Sequence, residues 1–336
     1  EALGAGNSVW DNLLLSSSTA EAQAAMDALS GEIHPSLRSL FLERSSAVRN
    51  ITFTRLQSPG TEKVEAWLKA LTGFGTFTDN GNAAETGHST TGFAFGVDFP
   101  VHEDWRAGFL AGIDRSTADV DDRASSGKVN SYHLGAYGGG SVGSIVLRVG
   151  TAIAFHRVDT VRNVAFGALS ERLTGSYHGM TVQGYLDAGY PMPTSVANLE
   201  PFLAAAVVHQ NTAHVTEKGG DAALSVSSDA DTLGISTLGL RAMRSLESEN
   251  FSSLRLDGSL GWRHVVGDVT QSASMAFAGG DDFTISGASM NRNAAVIEAG
   301  VEAEFRPNMR LRLGYAGQIG ADHYENAIRG SFTLQL

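Results

Sequence analysis

The chain has 336 residues and a formal net charge of −12, and 42% of its residues are hydrophobic, with 39 glycines and no cysteine. The absence of cysteine excludes thiolate catalysis, cysteine-ligated zinc and iron–sulfur clusters, and the acidic balance argues against nonspecific nucleic-acid binding. No run of about 18 apolar residues is present, so the sequence predicts no transmembrane helix. No signal peptide opens the chain, and because it begins with Glu1 we expect it to be a piece of a longer protein.

The first sixty residues are rich in Ala, Ser and Leu and have helical spacing. We interpret residues 1–35 as a junction with helical segments, and residues 36–60 as a basic helix followed by a linker. Glu43 is the only acid between Ser36 and Leu56, and the turn residues Ser58–Pro59–Gly60 end the helix. The basic side chains of this helix are Arg38, Arg44, Arg49 and Arg55.

Residues 61–336 predict about twelve strands, because apolar and polar residues alternate with period two. The pattern is strongest in the last three strands, where the apolar set continues to the final residue and the other face is charged. The first, seventh and eighth strands alternate poorly, which predicts bulges or a misassigned register. The apolar face of the strand after Asn293 consists of Ala295, Ile297, Ala299, Val301, Ala303 and Phe305.

The connections between these strands alternate between long and short. We expect short turns at positions such as Gly139–Gly143, where the glycines Gly138–Gly140 indicate a hairpin, and at Arg306–Asn308. Outer-membrane barrels have this pattern, with short periplasmic turns and long extracellular loops. With an even number of strands, both barrel termini lie on the short-turn side. The predicted long loops are 79–88, 119–127, 159–171, 211–231 and 267–292.

The charged strand faces are predicted to point into a lumen, and twelve strands leave an opening on the order of a helix diameter, about 10–12 Å. The basic helix is roughly 30 Å long, which matches the hydrocarbon thickness of a membrane. We therefore predict that the helix runs through the pore and that its arginines meet Glu298, Glu302 and Glu304. The alternative is a helix outside the barrel with solvated arginines. The other predicted lumen residues are Asp98, Arg106, Asp114, Arg148, Asp187, Arg255, Asp257, Arg263, Arg310 and Arg312.

Three segments resemble a known family. Residues 29–37, LSGEIHPSL, resemble the LSGEIHASL element ahead of the translocator domain of type V (type Va) autotransporters of the AIDA/BrkA-like kind. Gly314–Gln318 and Glu298–Asn308 are similar to the C-terminal elements of that family. The resemblance implies an all-β membrane protein: a 12-stranded antiparallel transmembrane barrel with an N-terminal α-helix running through the pore, which exports an N-terminal passenger to the cell surface.

The family also implies help from the barrel assembly machinery, which would read the C-terminal strand. Two features depart from the family: members usually end in Phe or Trp rather than Leu336, and one branch cleaves itself at an Asn-Asn pair. Because Ile51 follows Asn50, that cleavage chemistry is not supported. The residues of the implied assembly signal are Ile328, Phe332, Leu334 and Leu336.

We therefore expect an outer-membrane translocator domain in a Gram-negative bacterium, with its passenger side extracellular. The expected partners are outer-membrane lipid and lipopolysaccharide, the assembly machinery and its own passenger, and we expect a monomer. No metal-ligand or nucleophile motif is present, so we expect no enzyme activity, metal or cofactor. One alternative is a porin-like or adhesin-type barrel whose long loops bind a ligand. A soluble β-sandwich is a further alternative.

Overall fold

The computed structural model describes residues 7–57, 63–102, 104–247 and 251–336. Four helices precede the strands: α1 (Ser8–Leu14), α2 (Thr19–Leu29), α3 (Ile33–Arg44) and α4 (Ser46–Leu56). The side chains of Asn7 and Ser18 cap α1 and α2 by accepting hydrogen bonds from backbone N–H groups. No helix in the described part of the chain is long and apolar enough to cross a membrane.

Helices α3 and α4 act as one helix. Only Ser45 separates them, and it keeps right-handed helical dihedrals while its N–H donates to the carbonyl of Phe41 at 3.0 Å. The combined helix is about 36 Å long. It begins at Ile33, three residues before the predicted start, after Gly31 turns the chain with a φ of +69°. The predicted stop at residues 58–60 lies outside the described residues.

Twelve long antiparallel strands of the described chain form a closed barrel, which confirms the predicted fold class. Each strand pairs with its neighbours in chain order, and the last strand pairs with the first, from Glu65 opposite Gln335 to Phe77 opposite His323. The strands are β1 (Glu65–Phe77), β2 (Thr86–His102), β3 (Trp105–Val120), β4 (Ser125–Val142), β5 (Ile145–Phe166), β6 (Leu169–Gly189), β7 (Asn198–Thr212), β8 (Asp229–Leu246), β9 (Ser253–Val266), β10 (Asn293–Arg306), β11 (Met309–Gly320) and β12 (His323–Gln335).

The outer face of the barrel is apolar and the inner face is largely polar. Large hydrophobic side chains point outward from strand after strand with half or more of their surface exposed, as a face toward lipid requires. In β10, β11 and β12 the outward and inward sets are those that the alternation predicts. Examples of the outward set are Phe93, Phe109, Leu134, Leu260, Leu313 and Ile319.

Two predicted long loops are wrong. In the segment 119–127 only residues 121–124 join β3 to β4, with a 3₁₀ turn at Asp121–Arg123, and β5 and β6 extend until only residues 167–168 join them. Of the predicted short turn 139–143, only the end is confirmed, because residues 139–142 belong to β4 and the chain reverses at Gly143 with a φ of +60°. Beyond the lipid, the outer faces of β5 and β6 become polar while buried Val158 and Leu173 stay on the inner face, so the apolar outer face that predicts a membrane strand is missing there.

The two longest connections, β7 to β8 and β9 to β10, fold into a second sheet. We call this four-stranded sheet the cap; it consists of Val215–Thr216, Leu224–Val226, Thr270–Phe277 and Phe283–Ser289. The cap closes one end of the barrel by packing on α3. Ser39 Oγ donates to the carbonyl of Ala288 at 2.6 Å, and the N–H of Ala288 donates to Ser36 Oγ at 3.0 Å.

The bulges expected in the first, seventh and eighth strands are absent from the described registers of β1, β7 and β8. These strands alternate poorly in sequence because their inner faces are apolar too. Trp67 in β1, Ala204 and Ala206 in β7, and Ile235 in β8 are buried inside the barrel. Both faces of these strands therefore carry hydrophobic residues, and on the inner face these are mixed with buried charges such as Glu65 and Glu200.

Leu260 tests the assignment of the outer face. It is 63% exposed near the middle of β9, so Leu260→Arg should destabilise the folded barrel in lipid by about 2–4 kcal/mol. Urea unfolding in lipid vesicles, followed by heat-modifiable gel mobility, measures this. The matched control is Val196→Arg in the turn between β6 and β7, 65% exposed, which should have little effect. Equal effects of the two substitutions would contradict a lipid-facing β9.

Candidate functional site

The lumen is filled by α3 and α4, which run from the cap to the opposite end of the barrel. Ile33, Leu37, Leu40 and Ile51 are each at most 2% exposed, because the helix packs against the cap at its start and the barrel wall along its length. A Cβ on Gly127 of β4 would lie 2.6 Å from Leu37 Cδ1. The wall thus needs glycine at that position to admit the helix.

Aromatic side chains make further contacts between helix and wall. Phe41 stacks on His156 of β5 with ring centroids 4.5 Å apart. Phe53 meets Tyr185 of β6 edge to face at 5.4 Å. The Tyr185 hydroxyl lies 3.2 Å from Thr52 Oγ1. These contacts fix the rotation of the helix relative to β5 and β6.

At the short-turn end, Arg55 binds two carboxylates. Its Nε donates to Asp98 Oδ1 at 2.8 Å, and its Nη2 donates to Glu65 and, at 3.0 Å, to Asp98 Oδ2. Arg106 donates to Asp98 at 2.7 Å, and Arg310 donates to Glu65. Glu65 and Asp98 are nearly inaccessible to solvent. Three guanidinium groups thus meet two buried carboxylates where the helix returns to the first strand.

In the middle of the lumen, the helix supplies one acid and two arginines. Arg44 donates to Glu325 of β12 at 2.5 Å. Glu43 accepts a hydrogen bond from Arg263 of β9 at 2.7 Å. Arg49 donates to two neutral groups, Ser45 Oγ at 3.0 Å and Gln183 Oε1 at 2.7 Å.

At the cap end, Arg38 donates to Asp229 at 2.7 Å, to the carbonyl of Ser272 at 2.6 Å, and to Asp231. His34 Nε2 lies 2.9 Å from Glu217 Oε1, and Arg162 of β5 donates to Glu217 Oε2 at 2.8 Å. These contacts join the start of the helix to the barrel wall and the cap.

The pKa of the Glu217 carboxyl shows how strongly the neighbouring His34 and Arg162 act on it. Burial by itself raises its pKa, but hydrogen bonds from His34 and Arg162 and the positive charge of Arg162 outweigh burial and lower the pKa to about 2. Glu217 therefore stays ionised throughout the neutral and mildly acidic range.

The predicted lumen residues lie on the inner face, but the predicted pairing is wrong. Arg38, Arg44 and Arg55 bind acids on β1, β2, β8 and β12, not Glu298, Glu302 or Glu304 of β10. Neighbouring wall arginines already neutralise two of those glutamates: Arg329 donates to Glu298 at 2.9 Å, and Arg255 lies 3.3 Å from Glu302. Arg312 likewise donates to Asp257 at 2.7 Å. Glu304 is half-buried near the short-turn end of β10.

One wall cluster includes residues that sequence reasoning missed. Arg148 and Arg241 bridge Asp187 and Glu200 across β5 to β8, with distances from 2.5 to 2.8 Å. The guanidinium carbon of Arg241 also lies 3.6 Å from the centre of the Phe202 ring. Glu200 and Arg241 belong to β7 and β8, where the alternation is weak. Counting in steps of two from Phe202 would have assigned Glu200 to the lumen.

The C-terminal strand places its apolar residues on the outer face. Ile328 and Leu336 are well exposed, and Phe332 and Leu334 are half-buried. The N–H of Leu336 donates to the carbonyl of Val64 at 2.9 Å. The last residue therefore contributes to the closure of the barrel beside β1.

Comparisons with known proteins agree with this architecture. The family model for the autotransporter beta-domain matches residues 66–316. The chain belongs to the autotransporter family. The translocator domain of the autotransporter NalP from Neisseria meningitidis superposes with a TM-score of 0.76 at 16% identity, covering 91% of this chain and 100% of that chain. The beta domain of the Bordetella autotransporter BrkA gives a TM-score of 0.58 at 18% identity, covering 81% and 99%.

An extracellular serine protease of Serratia marcescens is 32% identical over 342 residues, which cover 99% of this chain and 32% of the protease. The chain thus spans about a third of the length of that relative. The resemblance seen in residues 29–37 and at the C-terminus is confirmed at the level of the family. Autotransporter barrels are outer-membrane translocator domains that carry their own passenger domain, and the matched family is a barrel rather than a catalytic domain.

The cluster at Arg55 makes an asymmetric prediction. Asp98→Asn leaves three guanidinium groups with one carboxylate and should destabilise the barrel by about 3–5 kcal/mol, whereas Arg55→Gln leaves a balanced set and should cost less. Urea unfolding in lipid vesicles measures both variants, with the exposed Asp119→Asn as the control. If Arg55→Gln lowered the free energy of unfolding more than Asp98→Asn, the carboxylates would not be the scarcer charges in this cluster, and the account of it would be contradicted.

The contact of Glu217 with His34 and Arg162 should depend on pH. Because its folded pKa of about 2 lies below the usual 4.5, this contact stabilises the cap above pH 4.5, and the stabilisation is lost as the pH falls toward 2. Pepsin cleavage within residues 213–228 should therefore be slower in the wild type than in Glu217→Gln at pH 4.5, and equal in the two at pH 2. A constant ratio of the two rates would contradict the assignment.

Proposed function

We propose that this translocator domain exports an N-terminal passenger through its lumen and then anchors it at the cell surface, with the cap side extracellular. The direction of the chain supports this. Helices α1 and α2 precede the cap end of the lumen, α3 and α4 run through it, and β1 begins at the short-turn end. Short turns are periplasmic in outer-membrane barrels. A passenger joined ahead of α1 would then lie outside the cell.

The helix in the lumen is the observation that carries this proposal. A porin has no reason to bury a helix of this length along its axis, whereas a domain that has passed its own chain through the pore retains the last exported segment there. Two features of the lumen fit that segment. Gly127 leaves room for Leu37 of the helix, and wall carboxylates bind Arg38, Arg44 and Arg55.

The remaining assignments follow from this proposal. Residues 1–35 are the junction to the passenger, residues 36–60 the pore helix and linker, and residues 61–336 the translocator barrel. Ile328, Phe332, Leu334 and Leu336 of the last strand form the signal for the barrel assembly machinery. The barrel acts as a monomer in contact with outer-membrane lipid and lipopolysaccharide, and any catalytic activity belongs to the passenger.

Conductance in planar bilayers tests the role of the helix. The intact chain should give small or intermittent currents, because α3 and α4 occupy the lumen. Deletion of residues 1–56 should open a stable pore of larger conductance. A matched control is deletion of residues 1–30, which removes α1 and α2 and leaves α3 and α4 in place. Large open pores in the intact protein would contradict the proposal and favour the porin-like alternative.

Export is tested separately in cells. A peptide epitope placed ahead of α1 should be labelled on intact Gram-negative cells by an antibody added outside, while an epitope in the turn between β6 and β7 should be labelled only after permeabilisation. The reverse labelling would overturn the proposed orientation without affecting the conductance result.

A further inference from the structure

A cavity of about 130 Å³ lies in the lumen beside α4, on the side formed by β7 to β12. Two smaller gaps between the helix and the wall, of about 10 and 20 Å³, lie at other points along α3 and α4. Arg49 lines it from the helix and Arg263 lines it from β9. A cavity of this size with polar groups on its wall holds several water molecules or a small ion with its hydration.

Arg49 differs from the other arginines of the helix. It is 6% exposed, and the two hydrogen bonds of its guanidinium go to the neutral groups of Ser45 and Gln183. Arg38, Arg44 and Arg55 each bind at least one carboxylate, whereas Arg49 has no carboxylate partner among the described residues. A buried cation without a counter-charge is costly by several kcal/mol.

The surrounding groups leave this charge uncompensated. Arg263 is neutralised by Glu43, Arg329 by Glu298, and Arg44 by Glu325. Arg148 and Arg241 are neutralised by Asp187 and Glu200. With Arg49, six guanidinium groups therefore share the region with five carboxylates, and the surplus positive charge is that of Arg49.

Unused hydrogen-bond donors are present at the same cavity. Arg263 is 4% exposed and bonds Glu43 and Gln318 through Nη1, but its Nε and Nη2 are buried and have no hydrogen-bond partner among the described residues. Buried donors of a charged group are normally satisfied. A negatively charged ligand beside Arg49 and Arg263 would compensate the charge of Arg49 and would offer an acceptor close to these donors.

We propose that this cavity is a binding site for a small monovalent anion of the halide class, held by Arg49 and Arg263. Chloride is such an anion in the cell. The anion would complete the charge balance of the filled lumen, so it would stabilise the helix in place. This assignment does not depend on the direction of export.

Bromide is the probe that locates the site. In crystals of the full chain grown with sodium bromide, diffraction at the bromine absorption edge should give an anomalous peak in the cavity beside Arg49. Arg49→Gln should lose the peak and Arg49→Lys should keep it. Arg38→Gln is the matched control, because it also removes a buried arginine of the helix but leaves the cavity unchanged, so its peak should remain.

A solution measurement separates a real site from binding at crystal concentration. The unfolding temperature of the detergent-solubilised wild type should be higher in sodium chloride than in sodium gluconate at equal ionic strength. The difference should disappear in Arg49→Gln and persist in Arg49→Lys and Arg38→Gln. Absence of the wild-type peak, or its persistence in Arg49→Gln, would overturn the proposal. A peak with no chloride effect on unfolding would mean an adventitious ion only and would also overturn it.

Discussion

The neutralisation of buried arginines by carboxylates is the interaction on which the rest of this structure depends. A closed barrel of twelve strands has a lumen wide enough for one helix, and neither bulk water nor lipid fills that space. The guanidinium groups of the helix therefore need counter-charges within the lumen, and three of the four find theirs on the inner wall. Arg38, Arg44 and Arg55 do so at the cap end, the middle and the short-turn end, and these pairs determine the depth at which the helix lies.

Packing and charge act together along the helix. Gly127 leaves room for the apolar side chain of Leu37, while wall acids lie where Arg38, Arg44 and Arg55 point. The cap adds a constraint at one end, because its hydrogen bonds with Ser36 and Ser39 form only when α3 is in the lumen.

Much of the fold was predictable from the sequence because a membrane barrel imposes period-two alternation wherever the lumen is polar. The last three strands follow this rule, and their faces were predicted residue by residue. The basic composition of Ser36–Leu56 predicted a helix that needs an acidic surrounding. The family elements at residues 29–37 and 314–318 led to the same architecture.

The errors have physical causes. Strands β1, β7 and β8 face the helix with apolar side chains such as Trp67 and Ile235, so their inner and outer faces cannot be distinguished by hydropathy. The extended ends of β5 and β6 leave the lipid, and their outer faces become polar like those of loops. The wrong arginine partners arose because pairing depends on which wall acids lie within reach of the helix: Glu298 pairs with Arg329, whereas Glu325 and Asp98, which also binds Arg106, accept the helix. The strand register around the barrel decides which acid each arginine meets, and the register cannot be derived from the local sequence of one strand.

Hydrogen exchange of the helix amides tests the central claim most directly. If arginine–carboxylate pairs and wall contacts hold α3 and α4 in the lumen, the amides of residues 37–54 in the lipid-embedded protein should exchange as slowly as those in the centres of β2 and β3. Exchange of these amides at the rate of an unprotected peptide, while the strands stay protected, would show that the helix does not occupy the lumen and would contradict this account.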